Sequence, residues 1–133
     1  MDRSSGSPGW VPRKRNDINI LLSIFMGLVF AVTPLGEYTI TRYTCSEAEG
    51  TADCVTASGE ECGIGTAASY PGQFPFGSIL YVEGVGIVFI TDTGTGYQDK
   101  KPWIDVWTGR GRDYAFEWGV RKRRVWLLEV NDD

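Results

Sequence analysis

The chain has 133 residues, a net charge of −4 and no histidine, which excludes Ser-His-Asp and Cys-His catalysis and denies zinc its commonest nitrogen ligand. From residue 37 onward nine basic residues face fifteen acidic ones, so the surface gives no reason to hold a phosphate backbone, and nucleic acid is not expected as a partner. Chemistry must rest on carboxylates, lysines, hydroxyls or thiols, with no cofactor and no metal expected.

Residues 1–17 are polar, broken by Pro8 and Pro12, and end in the basic cluster "RKRND", which reads as a cytoplasmic n-region. Residues 18–36 follow with "INILLSIFMGLVFAV", an apolar run between the length of a signal-peptide core and that of a short spanning helix. They are expected to form a leader helix, either a signal peptide cut after Ala31 or a signal anchor, with the basic flank on the cytoplasmic side. The segment lacks the polar face of an ordinary core helix. Residues 37–133 are then a single exported domain, in the cell wall, the periplasm or on the outer face of the membrane, touching the membrane only through the leader. Export makes one disulfide expected among Cys45, Cys54 and Cys62, with three pairings open and one thiol left over.

Alternation and β-branched content predict strands over 37–43, 65–69, 78–83, 86–92, 103–107 and 125–130, with "VEGVG" (82–86) as a tight hairpin. "RDYAFEWGVRK" is the one helical candidate, with Asp113 as its cap and Ala115, Phe116 and Trp118 as an apolar stripe. The run "RKRR" (121–124) is expected to be a solvated turn before the last strand. Six strands and one short helix in 97 residues point to a small, closed, mostly β barrel, since an open sheet would leave too many edges.

Two of the strands carry an aspartate that a buried strand should avoid: Asp92 in "FITDTG" and Asp105 in "WIDVW". "FITDTG" is similar to the aspartic protease motif, in a domain close in size to a viral protease subunit. However, Thr95-Gly96 replaces the usual Ala-Asp, the motif falls past the middle of the domain, and no Ile-Ile-Gly segment follows.

A second likeness covers nearly all of residues 38–130. From "YTITRYTCS" through "VTASGE", "GTAASYPGQFPFGSILYVEGVG", "DTGTG", "WIDVW" and "EWGVRKRRVWLLE", the sequence resembles the three-aspartate (3D) domain of membrane-bound lytic transglycosylase A and of small bacterial and phage cell-wall enzymes. The resemblance implies a double-psi β-barrel whose groove holds a peptidoglycan glycan strand, and a monomer is expected to suffice for activity. The family's Pro-Leu-Gly-Thr element matches Pro75-Phe76-Gly77-Ser78, its Asp-Thr-Gly matches Asp92-Thr93-Gly94, and its Ile-Asp-Val matches Ile104-Asp105-Val106. Its first aspartate has no counterpart, because Ser69 and Tyr70 stand ahead of Pro71; its lysine loop is altered to "GTGYQDKKPW", with Lys100 or Lys101 as stand-ins.

The chemistry this implies is cleavage of a glycosidic bond of peptidoglycan. One carboxyl protonates the leaving oxygen and then takes a proton from the C6 hydroxyl of the muramic sugar, closing a 1,6-anhydro ring. Asp105, flanked by Trp103, Ile104, Val106 and Trp107, is the expected acid and base, since a desolvated carboxyl keeps its proton more readily. Asp92 is the expected partner, disfavouring a second negative charge and supporting positive charge on the ring. Thr93 and Gly94 belong to its turn, Tyr97, Trp103 and Trp107 are placed to stack on sugar faces, and Ser69 to hydrogen-bond. Thr56 and Ser58 either line the groove or shape a turn. A non-catalytic wall-binding module is the alternative from another class, because it would keep the groove and tolerate the missing carboxylate.

Overall fold

The computed structural model describes residues 30–45, 54–97, 99 and 102–130. The strands are β1 (Phe30–Tyr43), β2 (Thr66–Ser69), β3 (Ile79–Val82), β4 (Gly86–Thr93), β5 (Trp103–Trp107) and β6 (Arg121–Val130), with one helix, α1 (Arg112–Trp118), between the last two. They close into a barrel in the order β1-β5-β2-β4-β3-β6.

Pairs β1–β5 and β2–β4 are parallel, whereas β2–β5, β3–β4 and β3–β6 are antiparallel. Exchanging β1, β2 and β3 for β4, β5 and β6 maps β1–β5 onto β4–β2 and leaves β2–β5 and β3–β6 in place. The barrel is thus two interlocked copies of one three-strand unit, with the crossed connections of a double-psi barrel. Closure removes the edges that an open sheet of this size would expose. Its inside is filled by Ile40, Ala67, Leu80, Val82, Val88, Ile90, Ile104, Val106 and Val125, all 0–2 % exposed, with Trp118 of α1 joining the cluster.

Residues Thr33–Leu128 form one compact unit, which carries the core and the cleft described below. Met1–Val32 with Glu129–Asp133 form the other, in which the described residues are the ends of β1 and β6.

Three expectations change. β1 starts at Phe30, seven residues before the predicted strand, so the last residues of the expected leader are extended, not helical; residues 18–29 lie outside the described residues. Among the described residues no helix is long and apolar enough to cross a membrane. The basic run at 121–124 is strand: β6 begins at Arg121, and Arg124 exchanges backbone and side-chain bonds with Glu83 of the β3–β4 turn, so the charges ride on a paired strand. In α1 the cap position is Gly111, at φ 96° with no side-chain cap, while Asp113 lies in the first turn. The hairpin at 82–86 is present, closed by Val85 N donating to Val82 O at 2.9 Å.

Candidate functional site

Four residues form one row across four neighbouring strands: Thr41 of β1 pairs with Asp105 of β5, Asp105 with Ala68 of β2, and Ala68 with Asp92 of β4. Residues opposite one another in a sheet share a face, and their strand neighbours point the other way. Ile40, Ile104, Val106 and Ala67 are those neighbours and fill the barrel. The row therefore lies on its outer wall.

Regular pairing would not have put Asp92 there. Ala67 pairs with Ile90 and Ala68 with Asp92, so Thr91 is an extra residue in β4. Such a bulge re-aims the next side chain, and its carbonyl is satisfied by Ser58 N at 3.1 Å. One inserted residue thus moves Asp92 onto the face that carries Asp105. Strands lie about 4.8 Å apart, so the two aspartate Cα atoms, with Ala68 between them, are roughly 9–10 Å apart. That excludes a pair sharing one proton at about 3 Å, as in an aspartic protease.

Asp92 is buried and tightly held: Oδ2 accepts from Tyr43 Oη at 2.7 Å, and Oδ1 from the backbone N–H groups of Ala57 at 2.8 Å and Thr93 at 2.9 Å. Burial, and then the bond to Asp92, push the Tyr43 phenol far above its usual range. Asp105 is half-buried, and its Oδ1 accepts from Thr41 Oγ1 at 2.9 Å. Thr41 Oγ1 in turn accepts from Trp103 Nε1 at 2.9 Å, which fixes its direction of donation. Arg42 is next along β1; burial pulls its guanidinium below its usual range, partly offset by Tyr114 and by the charge of Asp105.

Around the row runs a cleft of about 580 Å³. One wall is the loop from Thr93 to Tyr97, backed by Trp103, and the other is Ala115 and Phe116 of α1 with Gly119 and Val120. Tyr97 and Trp103 rings are tilted at 6.0 Å, and Phe116 is 67 % exposed at the rim. A Cβ on Gly94 would come within 3.0 Å of the Trp103 ring, so glycine lets the loop lie on the indole. Among the described residues no cluster of three or more His, Cys, Asp or Glu side chains could hold a metal ion.

The cleft thus brings together Asp92, Asp105, Thr93, Gly94, Tyr97 and Trp103 from the sequence-derived set. Trp103 is only 2 % exposed and hydrogen-bonded through its indole, so it acts as a wall more than as a free stacking face. Thr56 and Ser58 do not line the cleft. Their hydroxyls lie 3.0 Å apart and Thr56 Oγ1 accepts from Glu60 N, so they shape a turn that aims Ala57 N at Asp92. Ser69, 2 % exposed, contributes its carbonyl to Gly94 N at 3.1 Å and stays outside the cleft. Trp107 also lies outside, donating from Nε1 to Cys45 Sγ at 3.2 Å. Cys45 and Cys54 form the disulfide, leaving Cys62 outside it. Lys100 and Lys101 lie outside the described residues.

Sequence reasoning missed Thr41, Tyr43, Ala57, Ala68 and Gln73. Gln73 clamps the start of β5, its amide bonding both the N–H and the C=O of Trp103 at 3.1 and 2.6 Å. These residues reach their partners across 30 or more positions, and no local pattern signals that. No protein-family model matches the chain, and neither does any curated protein.

Proposed function

We propose that the protein cleaves the glycan strands of peptidoglycan as a lytic transglycosylase does, with Asp105 as general acid and then base, acting outside the cytoplasm as a monomer. The observation that carries the reading is the row Thr41–Asp105–Ala68–Asp92 in an open cleft: two carboxylates on one wall, separated by the smallest side chain that a strand can offer short of glycine.

The two carboxylates differ in a way that suits different tasks. Three donors and burial hold Asp92 still, whereas Asp105 is only half-buried and lines the cleft. A group that gives and regains a proton needs access to the substrate, and a fixed negative charge needs only direction. At roughly 9–10 Å and an effective dielectric near 20, the charges interact by about 1–2 kcal/mol. Asp92 thus tunes Asp105 modestly and faces the sugar ring where positive charge develops. The proton leaves Asp105 for the glycosidic oxygen, and the C6 hydroxyl proton returns to it as the 1,6-anhydro ring closes.

The buried, fully engaged Asp92 weighs against the protease reading, which needs its Asp-Thr-Gly carboxylate free to meet a second copy. The exposed Phe116 at the cleft rim is the feature that favours a wall-binding module. Digestion of purified peptidoglycan with the full chain, followed by mass spectrometry, separates these readings. Release of 1,6-anhydro-muropeptides is expected; binding with no release of any fragment would leave the binding module.

A further inference from the structure

Arginines gather on the rings of α1, the helix that forms one wall of the cleft, in a protein that is acidic as a whole. Arg42 lines the cleft, its guanidinium 5.6 Å from the ring centre of Tyr114 and 5.0 Å from that of Trp118. Arg110 stands over the same Tyr114 ring at 4.3 Å, Arg121 over Trp118 at 4.0 Å and Arg112 over Phe116 at 5.2 Å. All three rings belong to α1, whose Ala115 and Phe116 line the same cleft.

Among the described residues, none of these four arginines forms an ion pair with a carboxylate; the one ion pair found there joins Arg124 to Glu83. Stacking on a ring orients a planar guanidinium and leaves its edge donors available, a geometry suited to a planar anion. Arg42 is also steadied by Nε donating to Val106 O at 3.2 Å and by a hydrogen bond with the Tyr114 side chain. Bringing Arg42 and Arg110 onto one ring costs like-charge repulsion, which an anion between them would relieve.

The cleft thus carries carboxylates on the row and the Arg42 guanidinium beside α1, with Arg110 on the same Tyr114 ring. Building on the glycan-cleavage reading, we infer that these arginines bind a carboxylate carried by the glycan, with Arg42 and Arg110 as its ligands, so that the cleft selects an acidic polysaccharide over a neutral one. A neutral ring sits over Ala68, and its acidic substituent reaches past Asp105 to the arginines. In peptidoglycan that carboxylate comes either from the lactyl group of the muramic sugar or from the peptide stem.

Binding is read by tryptophan fluorescence with the full-length Asp105→Asn protein, using three probes: glycan strands with peptide stems, strands stripped to the lactyl carboxylate, and neutral chito-oligosaccharide. At least one carboxylate-bearing probe is expected to bind roughly tenfold or more tighter than the neutral one, as a charge-assisted bond implies. Arg110→Gln in the same background should abolish that preference without weakening chito-oligosaccharide binding, which doubles as the folding control; Arg110→Lys should restore part of it. Whichever acidic probe loses affinity identifies the source. Equal binding of all three probes, unaltered by Arg110→Gln, overturns the inference while leaving glycan cleavage standing; failure of every probe to bind removes both.

Discussion

The phenol of Tyr43 and the carboxylate of Asp92 are joined by a 2.7 Å hydrogen bond although their strands, β1 and β4, are not neighbours in the barrel. Tyr43 ends β1 two residues beyond Thr41, the donor to Asp105, so one strand end touches both carboxylates. Tyr43→Phe keeps the ring and removes the donor. It should cost about 1–3 kcal/mol, because a buried carboxylate loses a partner, and slow glycan cleavage by freeing Asp92; urea unfolding and turnover read the two effects.

The same bond sets an alkaline limit. The folded-state pKa of Tyr43 is raised, first by burial and then by Asp92, above the ordinary value of 10.0. The folded protein keeps the proton that the unfolded chain gives up, so this contribution is complete below pH 10 and is lost as pH rises beyond it. Stability should fall by about 1.4 kcal/mol per pH unit above that point. In Tyr43→Phe this component of the slope should vanish, as denaturation midpoints at several pH values between 8 and 11 would register.

Thr41→Val preserves shape but withdraws two bonds, one to Asp105 and one from the Trp103 indole. Trp103 is left with a buried donor, at a cost of about 1–3 kcal/mol, and Asp105 with a freer carboxyl. Thr41→Ser should recover most of both losses. A turnover defect in the valine variant that serine does not repair would mean that the methyl group, not the hydroxyl, matters.

The outline of the barrel was legible because strand alternation reports which face is buried: 103–107 came out with its exact bounds, as did the hairpin at 82–86. Partners across the barrel were not legible, since Thr41 and Asp105 are 64 residues apart and periodicity says nothing about register. The bulge at Thr91 was hidden as well, because "FITDT" alternates no differently with or without an extra residue. An apolar run hid the start of β1, where strand and leader helix read alike until pairing decides. Ser69 shows the limit of transfer by likeness: the resemblance sets it close to where an aspartate would be expected, yet its side chain is 2 % exposed, sealed in the wall.

For that reason Ser69→Asp should not repair the site. Ser69 is 2 % exposed and its hydroxyl contacts the Tyr70 carbonyl, an acceptor to which a carboxylate could not bond, so the new charge would be buried against it. Several kcal/mol of destabilisation are expected, seen as a lowered thermal midpoint with no gain in turnover.

Asp105→Asn tests the central claim most directly, since it withdraws the transferable proton and nearly preserves shape. Peptidoglycan digestion by the parent and the variant is compared by mass spectrometry of soluble 1,6-anhydro-muropeptides, with binding followed in parallel. Release should fall at least about 10²- to 10⁴-fold, the contribution of a positioned proton transfer, while glycan binding persists. A variant that releases these products as fast as the parent would show that Asp105 is not the acid.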